Sequence, residues 1–229
     1  MTVHLQRQID KLKWRILSLG SLVEQALDGA LRAVQQRDPE LARQIIAGDE
    51  QIDQMEVDIE EECLHTLALN QPVAFDLRFV VAVLKINNEL ERIADMATNI
   101  AEQAVFLVDE MPVDVPFELD TMARHAHEML RRSLQALVDA DAALADWVRA
   151  ADDRVDAIHR RMYEQVQAAM QQNPQQIPQL VHHMNISKQL ERIADQCVNI
   201  AEDVIYLARG DILRHSREPM PPVSGTREG

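Results

Sequence analysis

A nearly identical segment occurs twice in this chain, and it constrains the fold more than any other feature. Residues 91–107 read ERIADMATNIAEQAVFL and residues 191–207 read ERIADQCVNIAEDVIYL, so ten of the seventeen positions are identical at an offset of 100 residues. A weaker match, at an offset of 103 residues, relates the stretch 38–53 to the stretch 141–156. Internal repetition of this kind is typical of folds built from copies of one unit. The chain is therefore predicted to contain two copies of one structural unit.

The repeated segment is predicted to be a helix with one buried side. It contains neither Gly nor Pro and is rich in Ala, Ile and Glu. Its apolar residues, together with those just before it, follow the three-and-four spacing of a buried helix face: Val83, Ile86, Leu90, Ile93, Ala97, Ile100, Ala104 and Leu107. Only 3% of the residues are aromatic and only 6 are Gly, which favours long helices over sheets. The fold class is predicted to be all-α.

Prolines and capping residues divide the chain into six predicted helices. Proline is poorly tolerated inside a helix, so the nine prolines mark helix ends and loops. Asp38 and Asp141 are predicted N-caps, and Gly210 is a predicted C-terminal stop. The predicted helices cover about residues 3–37, 39–69, 73–108, 117–138, 142–172 and 175–209. The predicted buried seam of the first helix is Leu5, Ile9, Leu12, Ile16, Leu19, Val23, Ala26 and Ala30.

These helices are predicted to form two tandem three-helix bundles, each running up, down and up. The first bundle covers residues 1–112 and the second covers residues 113–214, with a proline-containing linker over 109–116. Residues 215–229 read REPMPPVSGTREG from position 217 onwards, and this Pro-, Gly- and Ser-containing stretch is predicted to be a disordered tail.

Each unit carries two acidic pairs at i and i+4. Two antiparallel helices bring residues that are equidistant from their turn to the same height. About the turn at Pro72, Asp49 is therefore predicted to face Asp95, and Asp53 to face Glu91. About the turn at 173–174 the corresponding predicted pairs are Asp152 with Asp195 and Asp156 with Glu191.

Four carboxylates at one height favour a bound cation. Like charges at i and i+4 destabilise a helix by about 0.2–0.5 kcal/mol per pair, and facing pairs add further repulsion. Carboxylate oxygens suit divalent or trivalent ions such as Mg²⁺, Mn²⁺, Ca²⁺, iron or Zn²⁺. The alternative is a solvated acidic face partly neutralised by Arg92 and Arg192. The candidate metal ligands are Asp49, Asp53, Glu91, Asp95, Asn99, Glu102, Asp152, Asp156, Glu191, Asp195, Asn199 and Glu202.

Composition excludes some partners and locations. A formal net charge of −15 argues against a nucleic-acid partner. Cys63 and Cys197 have apolar neighbours at helical spacing and are interpreted as buried thiols in a reducing compartment. The N-terminal residues lack the apolar core of a signal peptide, and no window approaches the roughly 20 apolar residues of a membrane span. A soluble cytoplasmic protein without a transmembrane segment is expected.

The duplicated E-R-I-A-D-x-x-x-N-I-A-E segment, with D-x-x-[IV]-D upstream in each half, closely resembles the PhoU family of phosphate-uptake regulators. The resemblance covers about residues 5–210, and residues 49–53, 91–95, 152–156 and 191–195 fit the family's E(D)xxxD signature. It implies two three-helix bundles, metal at these motifs in some members, and a homodimer. It also implies a non-enzymatic repressor of the phosphate-starvation response, which links a phosphate ABC transporter on its cytoplasmic side to a sensor histidine kinase.

Two alternatives stay open, and the two units are not identical. A carboxylate-bridged di-iron enzyme needs Glu-x-x-His on two helices, and Glu62 with His65 is the only such match. A metal-free helical scaffold would use the acidic faces only to set its surface charge. Between the units, Asn88 is replaced by Lys188 and Glu56 by His159. Lys188 adds a positive charge one turn before Glu191, which is expected to weaken metal binding in the second unit.

Overall fold

A computed structural model of the chain describes residues 3–210, so the predicted tail lies outside the described residues. Six long helices make up this part of the chain, and no strand occurs within it. The helices are α1 (Val3–Gln36), α2 (Pro39–Asn70), α3 (Ala74–Val108), α4 (Leu119–Asp139), α5 (Ala142–Gln172) and α6 (Ile177–Arg209). A short 3-10 turn, Pro174–Gln176, precedes α6. The all-α prediction is confirmed, and the predicted helix ends are met to within a few residues.

The predicted caps explain where several helices begin and end. Asp38 accepts hydrogen bonds at 3.0 Å from the backbone N–H groups of Glu40 and Leu41, so it caps α2. Asp141 caps α5 in the same way, from Ala143 at 2.9 Å and Leu144 at 3.1 Å. Gly210 ends α6 with a φ of 81°, a left-handed conformation that glycine adopts without strain.

The helices pack as two similar groups of three, and each group contributes one helix to a central pair. In the first group α1, α2 and α3 contact one another, and in the second α4, α5 and α6 do so. The groups meet where α3 packs against α6 and α1 packs against α4. Buried residues of both groups form one continuous hydrophobic cluster, within which Cys63 and Cys197 are buried as predicted. The division between residues 112 and 113 stays a prediction.

The core face of α1 differs from its predicted seam at one position. Leu27 is fully buried, whereas Ala26, the predicted seam residue, is only partly buried. A straight helix has 3.6 residues per turn, so its buried face drifts away from a strict seven-residue repeat over several turns. The drift moves the seam by one residue, and Ala30 and Ala33 then continue it.

The α3–α6 pair is antiparallel, with contacts symmetric about Ala94 and Ala194. Nine residues away from this centre, Lys85 Nζ contacts Asp203 Oδ1 at 2.6 Å. At the symmetric position Asn185 Nδ2 donates to Gln103 Oε1 at 3.3 Å. The two units are therefore related by a pseudo-twofold arrangement, in which an ion pair on one side corresponds to an amide hydrogen bond on the other.

The linker is held by Arg37, whose backbone adopts a positive φ of 54°. The Arg37 guanidinium donates to the carbonyl oxygens of Leu107 and Val108 at the C-terminal end of α3 and to that of Glu110 in the linker, where the helix itself supplies few N–H partners. From the second unit, Gln179 donates to the Glu110 carboxylate at 2.9 Å. Both units thus fix the start of the connection between them. None of the helices within residues 3–210 combines the length and the apolar character that a membrane crossing requires.

Candidate metal centres

The first cluster is the group Asp49 and Asp53 on α2 with Glu91 and Asp95 on α3. Burial, then the charges of Asp53 and Asp95, raises the pKa of Asp49, and a hydrogen bond from Thr98 opposes this. Burial, then Asp95 and Asp53, raises the pKa of Glu91. Burial and the charge of Asp53 raise the pKa of Asp95. The carboxylates predicted to face each other across the Pro72 turn therefore lie close enough to repel.

The second cluster is the equivalent group, Asp152 and Asp156 on α5 with Glu191 and Asp195 on α6. Burial, then repulsion led by Asp156 and Asp195, raises the pKa of Asp152 to about 7. Burial, followed by Asp195 and Asp156, raises the pKa of Glu191, and burial and Asp156 raise that of Asp195. The predicted pairs Asp152–Asp195 and Asp156–Glu191 are both present.

One buried carboxylate oxygen in each cluster lacks a hydrogen-bond partner. These atoms are Asp49 Oδ1 in the first cluster and Asp152 Oδ1 in the second, and they occupy equivalent positions in the two units. An unsatisfied buried oxygen on a carboxylate costs free energy, and three neighbouring carboxylates increase that cost. A cation would provide the missing partner for the oxygen and the missing charge for the cluster. The donor types in both clusters, carboxylate oxygens with one orphaned atom each, are therefore those that a metal ion takes.

The side chains do not converge on a single point as they stand. Within residues 3–210 no group of three His, Cys, Asp or Glu side chains is arranged to hold a metal ion. Asp53 and Asp95 are exposed, whereas Asp49 is half-buried.

The predicted amide ligands lie alongside the clusters and use their N–H groups within the protein. Asn99 Nδ2 donates to the backbone carbonyl of Asp95 at 2.8 Å, one turn earlier in α3. Asn199 Nδ2 lies 3.4 Å from Glu89 Oε2 and thereby links α6 to α3. Both contacts leave the amide oxygen as the atom available to an ion.

The predicted ligands Glu102 and Glu202 have different surroundings. Glu102 is exposed on α3. Glu202 is half-buried, and its Oε1 lies 3.8 Å from Nε of Arg149 on α5. A cation already accompanies Glu202, and its part in metal binding stays a prediction.

Two further residues, Glu56 and His159, extend the clusters. Burial, then Glu60 and Asp53, raises the pKa of Glu56, and the Glu56 charge in turn acts on Glu91. Burial lowers the pKa of His159, with Asp156 opposing and Lys188 adding to the shift. In the sequence, Glu56 and His159 stand out only as a difference between the two units. Their spacing is the signal that places them here, because each follows the last aspartate of its α2 or α5 pair by three residues.

Arginine side chains accompany both clusters, as the solvated-face alternative requires. The Arg192 charge opposes the raised pKa of both Asp95 and Asp195, so one arginine acts on a carboxyl of each cluster. Arg92 Nη1 is 3.9 Å from Glu89 Oε2, and its charge lowers the pKa of Glu91. At Glu91, Asp95 and Asp195, burial and carboxylate repulsion outweigh these cations, so the pKa values of these three carboxyls stay raised.

The Glu-x-x-His motif of the di-iron alternative has another role. Glu62 is buried between α1 and α2, where its carboxylate lies 2.5 Å from Lys11 Nζ and 3.1 Å from Arg15 Nε. His65 is exposed. Two cations occupy the surroundings of Glu62, so this residue stabilises the α1–α2 contact.

A family described as the PhoU domain matches this chain twice, at residues 16–104 and 119–204. The two matches contain the first and the second cluster respectively. Together they span most of the chain.

Curated proteins of similar sequence carry one name in several bacteria. The chain is 35% identical over 209 residues to the phosphate-specific transport system accessory protein PhoU homolog of Aquifex aeolicus, covering 91% of this chain and 95% of that protein. It is 34% identical to the phosphate-specific transport system accessory protein PhoU of Serratia marcescens, covering 91% and 86%.

Solved structures agree with this fold. PhoU from Pseudomonas aeruginosa superposes with a TM-score of 0.86 at 34% identity, covering 90% of this chain and 99% of that one. The phosphate transport system regulatory protein PhoU from Streptococcus pneumoniae superposes with a TM-score of 0.84 at 29% identity, covering 91% and 98%.

Proposed function

This chain belongs to the PhoU family, and from that membership we propose that it is a metal-binding regulatory adaptor of phosphate uptake. It represses the phosphate-starvation response when phosphate is plentiful. It acts on the cytoplasmic side of the membrane, where it links a phosphate ABC transporter to a sensor histidine kinase. The names of its relatives, accessory and regulatory proteins of phosphate transport, support this assignment. A homodimer is part of the same proposal.

The observation that carries the metal part of the proposal is the pair of unpartnered oxygens, Asp49 Oδ1 and Asp152 Oδ1. Each lies beside carboxylates that repel it. Such an arrangement stabilises the folded protein only when a positive charge is bound. Each cluster therefore takes at least one divalent or trivalent ion, with Mg²⁺, Mn²⁺, iron and Zn²⁺ as the candidates.

The regulatory role is tested by deleting the gene in the source bacterium. A reporter of the starvation response should stay active in phosphate-rich medium, and the wild-type gene supplied in trans should restore repression. A Glu164→Gln variant, changed on the exposed side of α5, should restore repression equally well. Normal repression in a deletion strain that has no second copy of the gene would overturn the regulatory role.

The adaptor role is tested by association. Tagged protein should retain the transporter or the kinase from detergent-solubilised membranes of phosphate-replete cells. Retention of neither, under conditions where the protein restores repression, would mean that it regulates without linking the two.

A further inference from the structure

A groove of about 300 Å³ lies between α1 and α2 in the first unit. Leu22, Ala26 and Ile45 line it, and these three side chains are only partly buried although they pack against the hydrophobic core. Gln44 and Gly48 of α2 also line the groove, and both are exposed. The groove therefore leaves apolar surface uncovered between two helices.

Gly48 has no packing role inside the protein. A Cβ atom built on Gly48 would meet no atom of residues 3–210 within 4 Å beyond its own stretch of helix, whereas one built on Gly29 of α1 would lie 2.5 Å from Ile45 Cδ1. The close packing of α1 against α2 thus explains Gly29 and does not explain Gly48. A glycine inside a helix destabilises that helix relative to alanine, and Gly48 lies within α2. Such a position is expected where another molecule approaches the helix backbone closely.

The groove can be compared with the second unit position by position. The Asp38 N–H donates to the Ala33 carbonyl at 3.0 Å in the α1–α2 turn, and the Asp141 N–H donates to the Ala136 carbonyl at 2.9 Å in the α4–α5 turn. The two turns are therefore built alike, with the offset of 103 residues that relates their sequences. The same offset relates the helix residues that adjoin each turn.

In the second unit, the corresponding surface carries a stacked pair of side chains. At the offset of 103 residues, Gly29 corresponds to Arg132 and Gln44 corresponds to Trp147. The Arg132 guanidinium carbon lies 3.8 Å from the centre of the Trp147 ring, and Arg132 Nε donates to the Glu128 carboxylate at 2.5 Å. An arginine stacked on an indole ring is a favourable contact. The chain thus provides a cationic and an aromatic side chain at these two positions in the second unit and neither of them in the first.

The charges beside the groove favour a basic occupant. Asp28 and Asp49 line the groove with one cation, Arg32, which already pairs with Asp28 at 3.1 Å. Asp49 Oδ1 is buried and has no hydrogen-bond partner within residues 3–210. At the position of Asp28 the second unit has Arg131, so the acidic character belongs to the first unit. The formal net charge of −15 also attracts a basic partner over a distance.

We propose that the α1–α2 groove of the first unit is the docking site for an amphipathic helix of the phosphate transporter. This helix places a large apolar side chain between Leu22 and Ile45 and a basic side chain towards Asp28, and Gly48 lets its backbone approach α2. Helix-in-groove recognition combines apolar anchors with flanking charge in this way. The inference rests on the proposed adaptor function and assigns its transporter contact to one surface.

The first test fills the groove with Gly48→Leu in the full-length protein. The control is Ala47→Leu, which adds the same side chain at an exposed position of α2 that does not line the groove. Binding of each tagged protein to the detergent-solubilised transporter is measured. Gly48→Leu should weaken this association by about tenfold or more, as changes at the centre of an interface do. Ala47→Leu should bind as the wild type does.

Stability measurements on the same variant separate docking from folding. Leucine is a better helix former than glycine, and the space at position 48 is open, so Gly48→Leu should melt at or above the wild-type temperature. Its metal-induced increase in melting temperature should equal that of the wild type. Weakened association together with a reduced metal response would place the defect in the first cluster and overturn the docking inference.

The second test reads the charge of the docked segment and does not depend on the Gly48 variant. Gln44→Arg should weaken association with the transporter, Gln44→Glu should strengthen it, and both effects should shrink at high salt. The same two substitutions at Gln167, an exposed residue of α5, are the control and should change nothing. Equal effects of arginine and glutamate at position 44, or the opposite order, would contradict a basic occupant.

The outcomes separate this inference from the proposed function. If the wild type binds neither the transporter nor the kinase, the adaptor function itself fails. If the wild type binds the transporter and Gly48→Leu binds it equally well, the adaptor function stands and the groove is not its docking site. Loss of kinase binding alone would assign the groove to the kinase, and a changed oligomeric state alone, measured by light scattering, would assign it to a second copy of this chain. Either result overturns the assignment to the transporter.

Discussion

At the scale of single residues, the notable feature is a set of carboxyl groups whose pKa values are raised by burial and by one another. Asp49 and Asp152 occupy equivalent positions, each with one buried oxygen that has no partner. Asp152 has the larger perturbation, because five causes act in one direction and raise its pKa to about 7. In the absence of metal such a group opposes folding once it is ionised.

The first prediction concerns Asp152→Asn and pH in chelator-treated protein. The pKa of Asp152 is about 7 in the folded protein, whereas its ordinary value, which applies to the unfolded chain, is 3.8. Well below the unfolded pKa, the Asp152 carboxyl is protonated in both the folded and the unfolded state, so it does not change the free energy of unfolding. As pH rises to 7, the unfolded chain releases the proton first and stability falls. The variant lacks this loss, so its melting temperature should match the wild type near pH 4 and exceed it near pH 8.

Thermal melts across this pH range check the result, and Glu164→Gln serves as the control without a pH-dependent difference. A constant difference between Asp152→Asn and wild type at every pH would show that Asp152 does not titrate in this range.

The second prediction concerns the metal response of the double variant Asp95→Asn, Asp195→Asn. A ligand that binds only the folded form adds about 2.7 kcal/mol at a hundredfold excess over its Kd. Mn²⁺ or Zn²⁺ should therefore raise the wild-type melting temperature. The variant loses one charge from each cluster, so without metal it should be at least as stable, and its metal-induced increase should be much smaller. Circular dichroism should show unchanged helix content.

Two results would count against this second prediction. Loss of the fold without metal would make Asp95 and Asp195 structural residues. A full metal response in the variant would place the ion elsewhere.

At the scale of helices, position and length are determined mainly by residues at the ends. Asp38 and Asp141 make the same pair of hydrogen bonds at the starts of α2 and α5. These helices carry the first two carboxylates of each cluster. A helix that starts elsewhere would change which residues face α3 or α6, so the caps help to place the clusters as well as to stabilise the fold.

The third prediction is that Asp38→Ala and Asp141→Ala each destabilise the protein by about 1 kcal/mol, the usual cost of removing an N-cap. Asp38→Asn and Asp141→Asn retain a capping oxygen, so each should lower the free energy of unfolding by only a few tenths of a kcal/mol. Urea unfolding of the metal-free protein measures the destabilisation caused by the alanine variants and by the asparagine variants. Equal destabilisation by Ala and Asn would mean that the charge of the aspartate, and not its capping hydrogen bonds, provides the stability.

At the scale of the whole molecule, the α3–α6 pair joins the two units and brings their clusters near each other. Its antiparallel contacts are symmetric about Ala94 and Ala194, and Arg192 acts on a carboxylate of each cluster. The Lys85–Asp203 ion pair lies in this contact, and the Asp203 side chain is only 12% exposed. Tyr206 packs beside the Lys85 ammonium, with the ring centre 5.4 Å from Nζ.

The fourth prediction is that a double-mutant cycle on Lys85→Ala and Asp203→Ala gives a coupling energy of about 0.5–3 kcal/mol, the range for residues in contact, and that this energy exceeds the coupling of an exposed pair. The pair Arg43–Glu40 on α2 is the control, because both side chains are more than half exposed and 3.3 Å apart. Exposed pairs of this kind contribute about 0–1 kcal/mol. Equal coupling in the two cycles would show that the contact between the units does not depend on this ion pair.

The sequence by itself determined the repeated helical units, the helix ends and the facing carboxylate pairs. These features depend on local physics. Proline and glycine interrupt helices, and aspartate caps them. Two antiparallel helices joined by a turn place residues that are equidistant from the turn at the same height. Asp49 and Asp95 could be paired from Pro72 alone for this reason. The single error in the α1 seam, Ala26 for Leu27, arose because a helical period of 3.6 was approximated by a heptad.

Only the tertiary structure decided how the two units join and which residues border each cluster. The antiparallel α3–α6 contact depends on how two complete helix faces fit together, and no turn in the sequence specifies it. The partners of Glu56 and His159, Asn87 and Ser187, lie on neighbouring helices, so their contacts depend on helix rotation and side-chain conformation at once. Local sequence rules describe one helix or one hairpin, whereas packing between helices selects among many faces of similar composition.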